Sequence, residues 1–241
     1  MTQMYCYVAD LLGFKSMILN LPPEQQEDRV KDWIQLVSEG TSKFKIQKYH
    51  LVSDTIFVGA EDSEEGLKDL LNYSKYMLEN GIKKSFLLRG AISYGDVTWN
   101  EHISYGKSIV DAYNIANDLE WVGTACQHGI IPQNSSLWKT ELIVQYEVPM
   151  KNGKVYAKPA VIWNVPPIPQ LKDLTRAGGL LGRGANEFSF TNLNKIQNTA
   201  LYSQYVKKLL ALKLPLDQVY GSFPLELVIS NGNDVEPIIW L

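Results

Sequence analysis

Alternating β-prone and helical segments over the first two thirds of the chain are the feature that most restricts its fold. Residues 5–12, 43–62 and 84–97 are rich in Val, Ile, Phe and Tyr, and the middle run is long enough for two strands. Residues 24–38 and 63–81 instead carry apolar side chains every three or four positions, which is typical of helices. The order strand, helix, strand, strand, helix, strand predicts a layered α+β fold with the ferredoxin-like βαββαβ pattern.

Two further segments complete the predicted core. Residues 108–123 have the pattern of a long helix and residues 155–166 that of a strand, so we assign the core domain to residues 1–165. Residues 166–241 carry a Gly-rich stretch, AGGLLGRG, which lacks the flanking features of a phosphate-binding loop and is interpreted as a flexible connection. A helical pattern at 194–212 follows. We predict a helical and strand extension there, packed on the core or on a partner subunit.

Composition excludes several classes of protein. No apolar run reaches the roughly 20 residues of a membrane span, and the N-terminus lacks the basic region and cleavage site of a signal peptide. The formal net charge of -3 provides no basic field for nucleic acid, and the two cysteines are too few for a disulfide framework or a metal cluster. We therefore expect a cytoplasmic protein that binds neither membranes nor nucleic acid.

Three charged residues lie in apolar, strand-like surroundings. Asp10 ends the first strand, Asp54 lies in the segment LVSDTIFVG, and Arg89 lies in LLRGAIS. In a βαββαβ layer both carboxylates reach one edge of the sheet, where they would supply the oxygen ligands that Mg²⁺ prefers. A purely structural interpretation is also open: Asp10 caps a turn, Asp54 occupies a hairpin tip, and Arg89 forms a buried ion pair with one of the two.

In order and spacing these residues resemble the class III nucleotide cyclases. The resemblance rests on Asp10 in VADLLGF, Asp54 in LVSDTIF, Arg89 in LRGAISYG and the helix start YGKSIVDAYNIA. It covers roughly residues 3–165 and gives no account of the C-terminal third. The resemblance implies a cyclase catalytic core.

The resemblance also implies a role for each residue of the site. Asp10, Asp54 and the backbone carbonyl of Leu11 would bind two Mg²⁺ or Mn²⁺ ions, and Arg89 would grip the triphosphate. Backbone N–H groups of the turn Leu12-Gly13-Phe14 would contact the triphosphate as well. One metal would lower the pKa of the ribose 3′-hydroxyl for attack on the α-phosphorus, and the other would steady the departing pyrophosphate. The product would be a 3′,5′-cyclic nucleotide.

One catalytic position departs from the family pattern. Where purine cyclases carry an Asn and an Arg on the helix after the YG turn, this chain has Val110 and Asn114. Asn114 can donate a hydrogen bond but brings no charge, so it would stabilise the transition state less than an arginine does. The missing charge is expected from elsewhere, for example from Lys107 or from a lysine in MKNGKVYAK.

The base-reading positions depart as well. The family's purine-reading residue, four positions before the hairpin Asp, is His50 here, and its partner position falls near Ile103. This pair resembles the bacterial pyrimidine cyclases of the Pycsar antiphage systems, as do SD in place of GD, the RGAISYG strand and AY in VDAYNIA. The resemblance implies that UTP or CTP is converted to cyclic UMP or cyclic CMP, which a partner effector protein senses.

The resemblance further implies a homodimer. In the family the site is composite, so that Asp10 and Asp54 of one subunit face the Asn114 helix of the other. Two alternatives stay open at this point: a purine cyclase with unusual base recognition, and a degenerate cyclase domain that serves as a nucleotide sensor or dimerisation module. The sequence does not choose between UTP and CTP.

Overall fold

Strands and helices alternate along most of the protein. The computed structural model describes residues 1–167 and 190–220, together with the backbone of residues 227–231 and 234–238. In chain order the elements are β1 (Thr2–Leu11), α1 (Phe14–Asn20), α2 (Pro23–Lys43), β2 (Lys48–Val52), β3 (Thr55–Glu61), α3 (Glu64–Lys83), β4 (Leu88–Trp99), β5 (Ser104–Gly106), α4 (Lys107–Asp118), β6 (Gly123–Cys126), a 3₁₀ helix (Ser136–Lys139), β7 (Ile143–Pro149), β8 (Val155–Val161), α5 (Phe190–Ala211), β9 (Leu227–Asn231) and β10 (Asp234–Ile238).

The first four strands form the sheet that the sequence predicts. β1 lies between β3 and β4, β2 lies on the outer side of β3, and all these neighbours are antiparallel. With α2 and α3 as its two helices, the spatial order β2-β3-β1-β4 is the βαββαβ arrangement. The prediction of a layered α+β fold around this core is therefore confirmed.

The sheet extends beyond β4 with the strand predicted at 155–166, which is β8, and with three strands that the sequence pattern did not reveal, β5, β6 and β7. β6 pairs in parallel with β4, β8 and β7 follow, and β5 pairs with the outer half of β4. β6 has only four residues and all are buried, so no alternation of polar and apolar positions marks it. The predicted helix at 108–123 is wrong at its C-terminal end, because the chain becomes extended at Leu119 and Trp121 enters the core.

Different helices cover the two faces of the sheet. α2 and α3 pack on one face, where Trp33 and Leu70 have almost no exposed surface. α4 covers the other face through a smaller apolar cluster that includes Met4 and Cys6. Because successive side chains of a strand point to opposite faces, Asp10 lies on the α4 face with Met4 and Cys6. That face carries the candidate site.

Helix α5 packs against residues of the core. Tyr202 meets Trp121 edge-on with 4.6 Å between ring centroids, and Tyr146 of β7 lies 5.0 Å from Tyr202 and 5.2 Å from Tyr205. The Tyr202 hydroxyl donates to the carbonyl oxygen of Val161 at 2.7 Å. Side-chain packing and hydrogen bonding therefore join this helix to β7 and β8, while the domain boundary at residue 165 stays a prediction.

The remaining C-terminal elements are two strands. β9 and β10 pair antiparallel in a two-stranded sheet, with Leu227 opposite Ile238. The stretch AGGLLGRG lies outside the described residues. Among the helices that the structure describes, none combines the length and apolar character that a membrane crossing requires.

Candidate active site

Strand register brings the two predicted carboxylates and the arginine to one end of the central sheet. Asp10 on β1 is directly opposite Thr55 on β3 and directly opposite Arg89 on β4. Asp54 immediately precedes Thr55 in the turn between β2 and β3. Because residues opposite one another in antiparallel strands share a face, the side chains of Asp10 and Arg89 are neighbours on the α4 face.

The tip of the β2–β3 hairpin is held by contacts from two other elements. Ser53 adopts a φ of 58°, a left-handed conformation that two-residue hairpin turns use. The indole N–H of Trp33 donates to the Ser53 carbonyl oxygen at 3.2 Å, and the Leu11 N–H donates to the Asp54 carbonyl oxygen at 3.1 Å. Asp54 does occupy a hairpin tip, and these bonds fix that tip beside the end of β1.

All three nitrogens of the Arg89 guanidinium donate hydrogen bonds within the chain. Its Nε and Nη2 donate to the two carboxylate oxygens of Asp10 at 2.9 and 3.1 Å. Nη1 donates to the Asn117 carbonyl oxygen at 3.1 Å, and Nη2 also donates to Asn117 Oδ1 at 3.2 Å. The structure thus contains the ion pair of the structural interpretation, and it adds Asn117, which no sequence motif marked. The role of Arg89 in gripping a triphosphate stays a prediction.

The charge of Asp10 is incompletely compensated. Burial raises the pKa of Asp10, the hydrogen bonds and positive charge of Arg89 lower it, and the negative charge of Asp54 raises it again. The net direction is upward, so the neutral form is favoured more than in water. Additional positive charge beside Asp10 and Asp54 would therefore stabilise the ionised carboxylates.

The available donors suit a hard divalent cation. Within residues 1–167 and 190–220, no group of three or more His, Cys, Asp or Glu side chains could hold a metal ion. Asp10, Asp54 and the carbonyl of Leu11 offer oxygen ligands only. Magnesium sites commonly use one or two carboxylates and complete their shell with water and substrate phosphate, and manganese accepts the same ligands. These three residues fit the predicted metals, and their role as ligands stays a prediction.

The turn after β1 offers fewer free N–H groups than the family pattern implies. Gly13 has a φ of 83°, a left-handed conformation that glycine adopts readily. The Leu12 N–H donates to the Leu87 carbonyl oxygen at 2.8 Å and is therefore occupied. Phe14 begins α1, so its N–H has no partner within the helix. Contact of this turn with a triphosphate stays a prediction that rests on Gly13 and Phe14.

His50 lies in a cluster with residues of β4 and β5. Its ring stacks on Trp99, with centroids 5.0 Å apart and planes 4° apart, and its Nε2 lies 2.9 Å from Ser104 Oγ. Ile103, the predicted partner position, directly precedes Ser104 and is 57% exposed. The structure therefore places His50 against Ser104, the residue next to Ile103, and the base-reading role of both positions stays a prediction. It also adds Trp99 and Ser104, which sequence reasoning missed.

Helix α4 leaves its predicted catalytic position exposed. Asn114 is exposed on the outer side of the helix, as are Val110 and Tyr113. The Lys107 ammonium is paired with Asp111 one turn further along. The charge of Lys107 is thus already paired on its own helix. The lysines of MKNGKVYAK are the other predicted source of the positive charge that Asn114 does not provide.

Lys151 is a lysine of that segment whose charge reaches the site. The backbone N–H of Lys151 donates to the Asp118 carbonyl oxygen at 2.8 Å, which connects the turn between β7 and β8 to the end of α4. Partial burial lowers the pKa of Lys151, the positive charges of Arg89 and Lys195 lower it further, and Asp10 opposes them. The Lys151 ammonium therefore lies within electrostatic range of both Asp10 and Arg89.

Comparison with known proteins gives matches at the level of structure. No protein-family model matches the sequence, and no curated protein matches it. A bacterial light-regulated adenylyl cyclase superposes with a TM-score of 0.52 at 11% identity, over 74% of this chain and 58% of the other. The fold is that of nucleotide cyclase domains.

Two further structures with the cyclase fold align over most of their own length. The catalytic core of a rhodopsin-guanylyl cyclase with converted specificity, in complex with ATPαS, has a TM-score of 0.51 and 12% identity over 67% of this chain and 96% of the other. A non-canonical dimeric guanylyl cyclase domain of the RhoGC fusion protein from the aquatic fungus Blastocladiella emersonii has a TM-score of 0.51 and 11% identity, over 67% of this chain and 97% of the other. At such identities the likeness to cyclase domains concerns the fold.

Proposed function

We propose that this protein is a nucleotide cyclase that converts UTP or CTP, as a homodimer, into 3′,5′-cyclic UMP or cyclic CMP and pyrophosphate. One observation carries the proposal: Asp10 and Asp54 lie at one end of a cyclase-type sheet, where burial and the like charge of Asp54 raise the pKa of Asp10 although Arg89 is paired with it. Such an oxygen-only pair suits a divalent cation that arrives with a nucleoside triphosphate.

The chain's own residues would position the substrate at this pair. Divalent cations held by Asp10, Asp54 and the Leu11 carbonyl would lower the pKa of the ribose 3′-hydroxyl and offset the charge of the triphosphate. The bond between Leu11 N–H and the Asp54 carbonyl keeps the two carboxylates together before substrate arrives. Preorganisation of this kind reduces the rearrangement that the reaction itself requires.

Lys151 would supply positive charge that Asn114 lacks. Its ammonium lies in the field of Asp10 and Arg89, whereas Lys107 is already paired with Asp111. A lysine ammonium is a compact charge that binds phosphate oxygens well. We assign Lys151 to the triphosphate or the departing pyrophosphate.

Replacing Lys151 by alanine is expected to raise the KM for the nucleotide about 10- to 100-fold, because a charged hydrogen bond to phosphate is worth roughly 1.5–3 kcal/mol. Initial rates at varied nucleotide concentration measure this. Lys154→Ala, three residues along in the same turn, is the matched control and should change the KM less than about twofold. An equal increase in KM for the two variants would contradict a direct contact of Lys151 with phosphate and would show that only the total charge of the turn matters.

The homodimer is supported by exposed apolar side chains beside Asn114. Tyr113 and Val110 of α4 are 46% and 55% exposed, and Tyr105 and Ile103 of the adjoining hairpin are 48% and 57% exposed. Large apolar groups of this kind near one another commonly mark contact surfaces. A second copy covering them would bring its carboxylates towards Asn114 and complete a composite site.

The pyrimidine assignment rests on His50 and Ile103 at the base-reading positions, together with the resemblance to Pycsar cyclases. The same resemblance is the sole support for a role in antiphage defence and for an effector protein that senses the product. This part of the proposal is an inference from likeness, not from the chemistry of the site.

A second candidate is a domain that binds nucleotide without turning it over. It is favoured by the engagement of Arg89 with Asp10 and Asn117, and by Asn114 at the position where purine cyclases carry an arginine. Calorimetry that detects Mn²⁺-dependent binding of UTP or CTP, in a protein that forms no product, would support this candidate.

The deciding experiment incubates the purified protein with Mn²⁺ and each of the four common ribonucleoside triphosphates. We expect cyclic UMP or cyclic CMP and pyrophosphate, separated by chromatography and identified by mass. A product from ATP or GTP alone would replace the pyrimidine assignment with the purine alternative. The absence of product from all four, at protein concentrations that support dimers, would reject the cyclase proposal.

A further inference from the structure

Helix α5 lies outside the part of the chain that resembles cyclases, yet its side chains bind one short segment of the core. This connecting segment, residues 118–122, runs from the end of α4 to the start of β6. The Asn198 amide donates to the Glu120 carbonyl oxygen at 2.7 Å. The Thr199 hydroxyl accepts from the Val122 N–H at 2.9 Å, and Thr199 is fully buried. Two adjacent residues of α5 thus hold the backbone of the connecting segment.

An ion pair reinforces this attachment. Lys195 Nζ lies 3.2 Å from Glu120 Oε1, and the two side chains are only 8% and 11% exposed. Removing one partner of a buried pair is costly, because the other charge is then left uncompensated. The Glu120 side chain therefore stays against α5, and the connecting segment stays with it.

The same segment also holds the turn between β7 and β8. The Asp118 carbonyl oxygen accepts from the Lys151 N–H at 2.8 Å, and the Glu120 N–H donates to the Pro149 carbonyl oxygen at 3.0 Å. The connecting segment is therefore bonded both to α5 and to the turn that carries Lys151. Through it, the position of α5 determines the position of this turn.

The surroundings of Lys151 make its backbone placement important. Its side chain lines a cavity of about 560 Å³ that Asn194 and Asn198 of α5 line as well. Because this open space leaves the ammonium room to move, the backbone of the turn decides which groups the charge reaches. The charges of Glu120 and Lys195 also act on Lys151.

We propose that Lys195, Asn198 and Thr199 of α5 are positioning residues that hold the connecting segment, and with it the turn that carries Lys151, at the candidate active site. The C-terminal helix is thus part of the catalytic unit. The effect on substrate rests on the proposed cyclase function, in which Lys151 binds the triphosphate or the departing pyrophosphate.

Two substitutions of Thr199 separate its hydrogen bond from its volume. Valine has nearly the same shape but cannot accept from the Val122 N–H, whereas serine keeps the hydroxyl. We expect Thr199→Val to raise the KM for UTP or CTP about three- to tenfold, because a displaced ammonium loses part of its contact with phosphate. Thr199→Ser should stay within about twofold of the wild type, since the acceptor is retained.

Asn198→Leu is a second variant at a partly exposed position, and it carries the same test if Thr199→Val does not fold. It should raise the KM as Thr199→Val does, because the Glu120 carbonyl loses its donor from α5. Asn194→Leu, one turn earlier on the same helix, is the matched control and should leave the KM unchanged. Equal increases in KM for Asn198→Leu and Asn194→Leu would contradict the inference.

A double-mutant cycle shows whether the effect passes through Lys151. In the Lys151→Ala background, Thr199→Val should change the KM less than about twofold, because the charge that it displaces is already absent. The same increase in KM in both backgrounds would mean that α5 does not act through Lys151, and would overturn the inference.

Hydrogen exchange tests the geometry without turnover. We expect the backbone amides of Lys151 and Glu120 to exchange about tenfold faster in Thr199→Val than in Thr199→Ser, because the segment that holds both is loosened locally. The Leu11 amide, which donates to the Asp54 carbonyl oxygen, is the internal reference and should exchange equally in the two proteins. Equal acceleration at all three amides would show a general loss of stability and would reject a positioning role.

The two measurements also separate this inference from the cyclase proposal. Faster exchange confined to the Lys151 and Glu120 amides, in a protein that forms no cyclic product, would reject the cyclase function and leave the attachment of the turn to α5 intact.

Discussion

Asp54→Asn is expected to reduce cyclic nucleotide formation by at least about a thousandfold while leaving the fold unchanged. The substitution removes the charge that a divalent cation would need, and a metal's contribution of several kcal/mol to the transition state corresponds to about three powers of ten or more. Asp54 lies at a hairpin tip and is held by its backbone carbonyl, which asparagine retains. Rates with Mn²⁺ and urea denaturation together measure both parts of the expectation.

The matched control for this charge change is Asp28→Asn, an exposed carboxylate on α2, the helix that covers the sheet face opposite to that of Asp10. It should retain full activity. If Asp54→Asn kept more than about a tenth of the wild-type rate, Asp54 would not be a metal ligand, and the hairpin-tip interpretation would be sufficient.

Arg89→Met is expected to lower the free energy of unfolding by about 3 kcal/mol, the lower end of the range for breaking a buried ion pair. The substitution leaves Asp10 without its cation beside the like charge of Asp54, and it leaves the Asn117 oxygens without their donor. Urea denaturation in the absence of divalent cations measures the loss.

Two further experiments connect this loss of stability to the candidate metal site. Asp10→Asn combined with Arg89→Met should be more stable than Arg89→Met alone, because no buried charge remains unpaired. Added Mn²⁺ should raise the unfolding midpoint of Arg89→Met more than that of the wild type, and should not do so once Asp54→Asn is included. An unfolding midpoint that Mn²⁺ does not change in any variant would argue against cation binding by Asp10 and Asp54.

The βαββαβ core could be predicted from the sequence because the patterns that mark its strands and helices are local. Strands and helices are recognised from side-chain periodicity over five to twenty residues. The N-cap of α3 is also a local signal, because the Ser63 side chain accepts a hydrogen bond from the Gly66 N–H three residues later. β6 lacked such a signal, since four buried residues show no alternation. The end of α4 at Asp118 was missed because Leu119 and Trp121 fit a helical pattern equally well and leave it only to enter the core.

Asp10, Asp54 and Arg89 could be named from residue type, because charged groups in apolar strands require partners, whereas His50 was indicated only by the family resemblance. Which partners they have depends on register between strands far apart in the chain. The pairing of Asp10 with Arg89, 79 positions away, and of His50 with Ser104, 54 positions away, follows from how β1, β4 and β5 align. A shift of one residue in any strand would turn its side chains to the other face and separate these pairs. Periodicity along a strand contains no information about that alignment, so the choice of Asp10 over Asp54 as the partner of Arg89, and the stacking of His50 on Trp99, were shown only by the folded sheet.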